Sequence, residues 1–384
     1  RSNSGVASNL ATGGAFRLTD DSPLTYGIGV FGLAGGGVNF PGSNGTPLLS
    51  SHNPPKMFGF GPIYANLATL ALNPMASLRM SDRLSIGGGP VISVTNASFS
   101  PAFFAPGPKD IGGIPTFPNA TGGRPFWGAG FQLGMLFEAS ENWNVGFSYK
   151  SPIWQEKYSW NGANPDLSAR RIFLQAQLPA IYSWGVAYKG LPKTLIDVDM
   201  RYFDYANTSL FGQSVASGGL GWRSVFAIAT GVQYQATDRL TLRAGYLYNQ
   251  SPIVTEQTLF NVQAPAITTN TLSMGGSFQL NEYLTLSGAW VHGFRNSIQG
   301  GLKEIPGAAA RFDVQTDSIV LGVNVRFGAV RGAAPTSLPT NPSAVPVMTA
   351  PEAAAASNDG PTPDSLIAQR LTQAESTASH GDAK

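Results

Sequence analysis

The chain has 384 residues with 42% apolar, 11% aromatic and only 12% charged side chains, 46 glycines, 28 prolines and no cysteine. Charge is half that of an ordinary soluble domain, and a formal balance of +2 offers no nucleic-acid surface; lacking Cys and holding three His (His52, His292, His380), the chain has no disulfide framework, thiol chemistry or structural zinc site. A mean hydropathy of −0.02 without any apolar run of about 20 residues excludes membrane-spanning helices, while the glycine content does not suit a helical protein.

The N-terminus, Arg1-Ser-Asn-Ser-Gly, lacks the basic and apolar regions of an export signal. From there, alternation of apolar with small or polar residues predicts thirteen strands: 5–18, 24–35, 62–80, 83–97, 126–140, 142–158, 172–189, 193–206, 222–236, 238–251, 268–280, 283–297 and 311–327. In 193–206, Ile196, Val198, Met200 and Tyr202 oppose Leu195, Asp197, Asp199, Arg201 and Phe203. In 222–236, Phe226, Ile228, Val232 and Tyr234 oppose Ala227, Ala229, Gly231 and Gln233. One face is apolar with aromatics towards strand ends (Tyr149, Tyr182, Trp184, Tyr188, Tyr202, Tyr234, Tyr246), and the other is Gly, Ser, Gln and Asn. Such rings are the girdles of a transmembrane β-barrel.

Connections alternate between short turns and long loops at 36–61, 98–125, 159–171, 207–221, 252–267 and 298–310. Long loops on one side and tight turns on the other are the outer-membrane pattern, with the loops extracellular. The expected fold is all-β, a transmembrane antiparallel barrel over residues 1–327. Bacterial single-chain barrels have even strand numbers, and the first predicted strand starts on the loop side. The pattern therefore calls for a fourteenth strand ahead of the thirteen visible ones. Residues 328–384, rich in Ala, Pro, Ser and Thr, read as a disordered periplasmic tail with a short capped helix at 364–376.

Several motifs invite chemistry. Gly27-Ile-Gly29-Val-Phe-Gly32 has dinucleotide-binding spacing, but the Leu33-Ala-Gly-Gly-Gly that follows cannot form the helix such a site needs. Asp197, Asp199 and Arg201 share a face with Arg243 on the same lumenal side, and read as a polar network around water rather than an enzyme site. His292, followed by Gly293-Phe294, has no serine partner at lipase spacing. Phe99, Phe103, Phe104 and Phe117 share the loop 98–125 with five prolines. Clustered apolar side chains on a loop either cover something or bind something.

These residues lead to a resemblance. Leu240-Thr-Leu-Arg-Ala-Gly-Tyr-Leu-Tyr-Asn-Gln-Ser-Pro-Ile253 and Leu284-Thr-Leu-Ser-Gly-Ala-Trp-Val-His-Gly-Phe294 are similar to the FadL-type long-chain fatty-acid and hydrocarbon transporters of Gram-negative outer membranes. Leu72-Asn-Pro-Met-Ala76, Arg83-Leu-Ser-Ile-Gly87 and Asn142-Trp-Asn-Val-Gly-Phe-Ser-Tyr-Lys-Ser-Pro152 support it in order and spacing. The resemblance implies a fourteen-stranded barrel with an N-terminal hatch carrying Asn-Pro-Ala; hatch and first strand are missing from residues 1–327, and Asn73-Pro74, inside a strand, is not given that role. It further implies ligand capture by loops 98–125 and 159–171, with Phe99, Phe103, Phe104, Phe117 and Trp160; Arg170 and Arg171 in the second loop read more commonly as solvated loop arginines, with pairing to a carboxylate headgroup as the alternative. It places a lateral exit at a kinked strand, Phe31-Gly32-Leu33, followed by Gly35-Gly36-Gly37. Hydrophobic small molecules and outer-membrane lipid are then the partners of a monomer without cofactor or metal. The competing reading is a non-specific polar porin or a structural barrel with a periplasmic tether.

Overall fold

A computed structural model describes residues 2–4, 10–19, 21–50, 59–108, 116–164, 167–302 and 305–327. The tail and its expected helix lie outside the described residues. Seventeen strands follow in chain order: β1 (Thr12–Phe16), β2 (Leu24–Phe40), β3 (Ile63–Arg79), β4 (Leu84–Ser100), β5 (Phe126–Ser140), β6 (Trp143–Lys150), β7 (Ile153–Gln155), β8 (Tyr158–Ala163), β9 (Ala169–Leu174), β10 (Gln177–Leu178), β11 (Ile181–Leu191), β12 (Thr194–Phe203), β13 (Val225–Gln235), β14 (Leu240–Asn249), β15 (Asn270–Gln279), β16 (Leu284–Leu302) and β17 (Ile305–Val325). Thirteen form the barrel wall, each antiparallel to the next, in the order β1 to β6 and then β11 to β17.

The wall follows the period of two. Val186, Val198, Met200, Ile228, Val232 and Met274 point outwards and are exposed, while Gly231, Gln233, Thr241 and Asn249 are buried inside. An apolar exterior this extensive is tolerable only against hydrocarbon. Outward rings form a continuous row near the loop end: Phe131, Tyr149, Tyr182, Tyr202 and Phe226, with successive centroids 5.8, 5.0, 6.2 and 4.8 Å apart. Near the turn end Trp143 meets Tyr188 at 4.7 Å. Six residues separate Tyr149 from Trp143, about 20 Å of strand, which suits the two faces of a bilayer. Among the described residues no helix is long and apolar enough to cross a membrane.

Proline accounts for two departures from the sequence reading. The segment expected as one strand, 142–158, breaks at Pro152 into β6 and β7; 172–189 breaks around Pro179 into β9, β10 and β11. A residue without an N–H interrupts a ladder. The loop expected at 159–171 is instead a hairpin, β8 paired with β9, and the loop expected at 298–310 is largely taken up by β16 and β17. At the start, β1 pairs Thr12 with Val30, and Asn3 donates to the Asn39 carbonyl at 2.6 Å on the same register. The described sheet path ends at β1 and β17, and on β17 Ile319 and Leu321 are 75% and 82% exposed, against about 40% for outward residues of inner strands such as Val186 and Val232.

The hydrophobic core lies at the loop end of the barrel. Its largest wholly buried side chains, Trp160, Trp222, Tyr158, Phe126, Phe203 and Phe211, come from loops, the hairpin and strand tops. Below them the lumen is lined by small residues such as Gly134, Gly146, Gly185, Gly231 and Gly245.

Candidate ligand-binding site at the barrel mouth

Two of the mouth's aromatic clusters carry the residues expected to capture ligand, and Phe203, Tyr205, Phe211 and Trp222 form a further one. In the first, the hairpin β8–β9 folds inwards and carries Trp160 beneath the loop that follows β4. Trp160 stands 6.2 Å from Phe99, 5.9 Å from Phe104 and 5.4 Å from Phe126, and its indole N–H donates to the Ala97 carbonyl at 3.1 Å. Phe126 stacks on Tyr158 at 4.3 Å, and burial pushes the Tyr158 phenol up to about 12. In the second cluster, Phe103 contacts Phe60, Phe117 and Phe260 at 4.9, 5.2 and 6.0 Å.

All five residues expected to capture ligand therefore stand at one mouth, divided between two clusters. They are less open to water than a bare loop reading implies: Trp160 and Phe103 are buried, and Phe99, Phe104 and Phe117 half-buried. Phe60, Phe126, Tyr158 and Phe260 belong to the same clusters and were missed. Phe126 and Tyr158 stood at ends of predicted strands, where an aromatic reads as girdle, and nothing in the sequence set Phe60 or Phe260 apart. A cleft of about 430 Å³ runs between loop 98–125 and the hairpin, with Phe117, Asn119, Asn161 and Arg170 on its walls. Arg170 also donates to the Pro106 carbonyl at 3.1 Å, tying the two together.

The mouth is braced by polar contacts. Gln263 donates to the carbonyls of Tyr64 (3.2 Å) and Pro101 (2.8 Å), and Trp222 to Asn261 Oδ1 (2.6 Å). Arg124 grips Glu156 through two 2.7 Å hydrogen bonds, and the Trp127 N–H donates to the same carboxylate at 2.7 Å. Those donors hold the Glu156 carboxyl well below its ordinary range, at about 2.

Phe31-Gly32-Leu33 coincides with a β-bulge. Gly32 pairs with Leu70 but Ala34 pairs with Thr69, so Leu33 is the extra residue. Inward positions switch accordingly from odd (Gly29, Phe31, Leu33) to even (Val38). Phe31 and Leu33 pack into the same extended core as Trp160. The lumenal residues Asp197, Asp199, Arg201 and Arg243 all occupy inward positions. Arg243, however, donates to Gln233 Oε1 (2.8 Å) and Ser277 Oγ (2.6 Å) rather than to a carboxylate. Asp197 lies over Gly231, where a side chain would collide with it.

An apolar exterior between aromatic girdles, a small-residue lumen and an apolar core at the mouth fit an outer-membrane β-barrel transport protein. The chain belongs to the outer membrane protein transport protein family (OMPP1/FadL/TodX), whose model matches residues 56–328. Among solved structures it is similar to the Pseudomonas putida toluene transporter TodX, at 15% identity and a TM-score of 0.62 over 85% of this chain and 84% of that one. The Ralstonia pickettii toluene transporter TbuX is similar at 14% identity and a TM-score of 0.59, over 82% and 80% of the two chains. A Pseudomonas aeruginosa FadL homologue is similar at 17% and 0.57, over 82% and 76%. A search of curated proteins found no match.

Proposed function

We propose that this barrel takes up hydrophobic compounds of the fatty-acid or hydrocarbon class through the outer membrane. The aromatic stopper carries the reading: a polar porin needs an open, wetted mouth, whereas Phe103, Phe117 and Trp160 pack into apolar clusters across this one, and Phe117 also lines the cleft. Ligand is captured at Phe99, Phe103, Phe104, Phe117 and Trp160, passes into the lumen, and leaves sideways through the wall near the Leu33 bulge. Lateral release has a physical advantage. Each CH₂ gains about 0.8 kcal/mol on leaving water, so discharge into the bilayer avoids returning an apolar chain to an aqueous periplasm. The similar toluene transporters favour a monoaromatic cargo, which fits the class. The barrel acts as a monomer, and the 328–384 tail lies on the periplasmic side.

Proteoliposomes holding the full chain test the reading. Radiolabelled palmitate and toluene are expected to enter faster than into empty liposomes, with no gain for radiolabelled sucrose. Sucrose flux equal to that of the hydrophobes would return the polar porin.

A further inference from the structure

The outer face of β16 and β17 changes character along its length. On β17 the outward positions over residues 319–327 are Ile319, Leu321, Val323, Val325 and Phe327, all apolar and exposed. A tilted strand crosses the hydrocarbon in about nine residues. Towards the loop end the outward residues become Asp317, Gln315, Asp313 and Arg311, again exposed, while Phe312 and Val314 pack against the core.

On β16 a bulge brings a second cation to this place. Gly293 pairs with Thr316 and Asn296 with Val314, so Phe294 and Arg295 together oppose Gln315. Below the bulge the odd residues Val291 and Gly293 are buried. Above it the even residues face inwards, Ile298 onto the core and Asn296 onto the Ile267 carbonyl. Without the extra residue Arg295 would point into the lumen. Instead its side chain is 67% exposed, with its guanidinium 3.2 Å from Asp313 Oδ1. Arg311 approaches the same oxygen at 3.5 Å. Two guanidiniums sharing one carboxylate leave net positive charge and spare N–H donors directed outwards.

Between the apolar band and this pair lies a hydrogen-bonding level. Asp317 Oδ1 accepts from the Trp290 indole at 3.2 Å and pairs with His292 Nδ1 at 2.8 Å. The imidazole contacts the rings of Trp290 and Phe294, at 5.5 and 4.8 Å. From Asp317 up to Asp313 is about 13 Å of strand.

We propose that the outer face of β16 and β17 binds a phosphorylated, multiply acylated amino-sugar lipid of the outer leaflet, its phosphate held by Arg295 and Arg311. The levels on the wall follow the order of groups in such a lipid. Acyl chains lie along Trp290, Phe294, Ile319 and Leu321, amide and hydroxyl groups meet Asp317 and His292, and phosphate stands above. A glycerophospholipid carries its phosphate close to its acyl esters, so it falls short of the arginines while its chains stay in hydrocarbon. A sugar between chains and phosphate supplies the height. Guanidinium forks match phosphate oxygens, and the loop end of such a barrel faces outside. The site is separate from the mouth and does not depend on what the barrel carries.

The test uses the full chain in a neutral detergent, titrated with lipid A, dephosphorylated lipid A or phosphatidylglycerol and read by native mass spectrometry. One lipid A molecule should bind saturably, and Arg295→Gln/Arg311→Gln should weaken it about tenfold, the loss of two charge-assisted contacts. Dephosphorylated lipid A should bind the native chain as weakly as lipid A binds the variant. Phosphatidylglycerol should bind both chains alike. Undiminished lipid A binding by the variant would overturn the proposal. So would phosphatidylglycerol that binds as tightly as lipid A and is lost in the same variant, which would mark a general anion site. Displacement of lipid A by millimolar inorganic phosphate would likewise assign the pair to free phosphate. Should the double variant misassemble, the native chain decides alone: equal binding of lipid A and its dephosphorylated form would remove the phosphate site.

Discussion

The indole of Trp160 is wholly enclosed, bonded to the Ala97 carbonyl and ringed by Phe99, Phe104, Phe126 and Tyr158. It therefore stands at the centre of the first aromatic cluster, while Phe103 and Phe104 belong to the loop proposed to capture ligand. Replacing Phe103 and Phe104 with Ser should weaken apparent affinity for a long-chain ligand about tenfold and leave the barrel heat-modifiable, because these loop contacts lie outside the wall's ladders. Unchanged uptake at low ligand concentration would make the cluster a cover alone. Glu156 supplies a pH test. Its carboxyl is depressed to about 2 by Arg124 and the Trp127 N–H, so the bonded form adds stability fully above the ordinary value near 4.5. That contribution fades as pH falls towards 2. The pair is largely exposed and its worth correspondingly small. Amide exchange at Trp127 should stay slow at pH 4 and quicken near pH 2, and Glu156→Gln should exchange quickly at both.

At the scale of elements, the bulge in β2 makes a separable prediction. Because Leu33 is the one unmatched residue, deleting it joins Gly32 to Ala34 in a single register and still leaves Val38 facing inwards. The shortened strand should assemble, bind ligand and deliver it more slowly, as should Gly32→Val, which favours straight pleated backbone. Delivery at the native rate by a folded, deleted barrel would take the bulge out of the route. The period of two made the wall strands readable in advance, and the inward positions of Asp197, Asp199, Arg201 and Arg243 followed from it. Its failures have local causes. Pro152 and Pro179 sit inside stretches whose alternation continues on either side, so pattern alone ran straight through them. The hairpin β8–β9 carries Trp160 in a segment too polar to read as strand, since only one of its faces meets the core. Phe31-Gly32-Leu33 was legible as a place to bend, but the parity switch at Leu33 exists only against the register of β3.

At the scale of the molecule, wall and mouth are held by different forces, and that separates their failures. The wall rests on ladders between neighbours and on an exterior matched to hydrocarbon; the mouth rests on side chains packed across loops distant in sequence. Tyr158 and Leu174 end the hairpin as directly paired residues, so the segment between them can be replaced by a two-glycine turn without stretching β7 or β10. That excision removes Trp160 and Ile172, both buried in the stopper, and leaves every wall strand in place. The first cluster then loses its centre, while Trp222, Phe203 and Phe211 remain at the loop end. The excised barrel should migrate as a folded species and lose hydrophobe capture, and in planar bilayers it should pass ions that the native chain blocks. Ion conductance that stays closed after excision would place the barrier deeper, among the lumenal side chains around Asn73 and Gln132, and the aromatic mouth would then serve selection without serving as the seal.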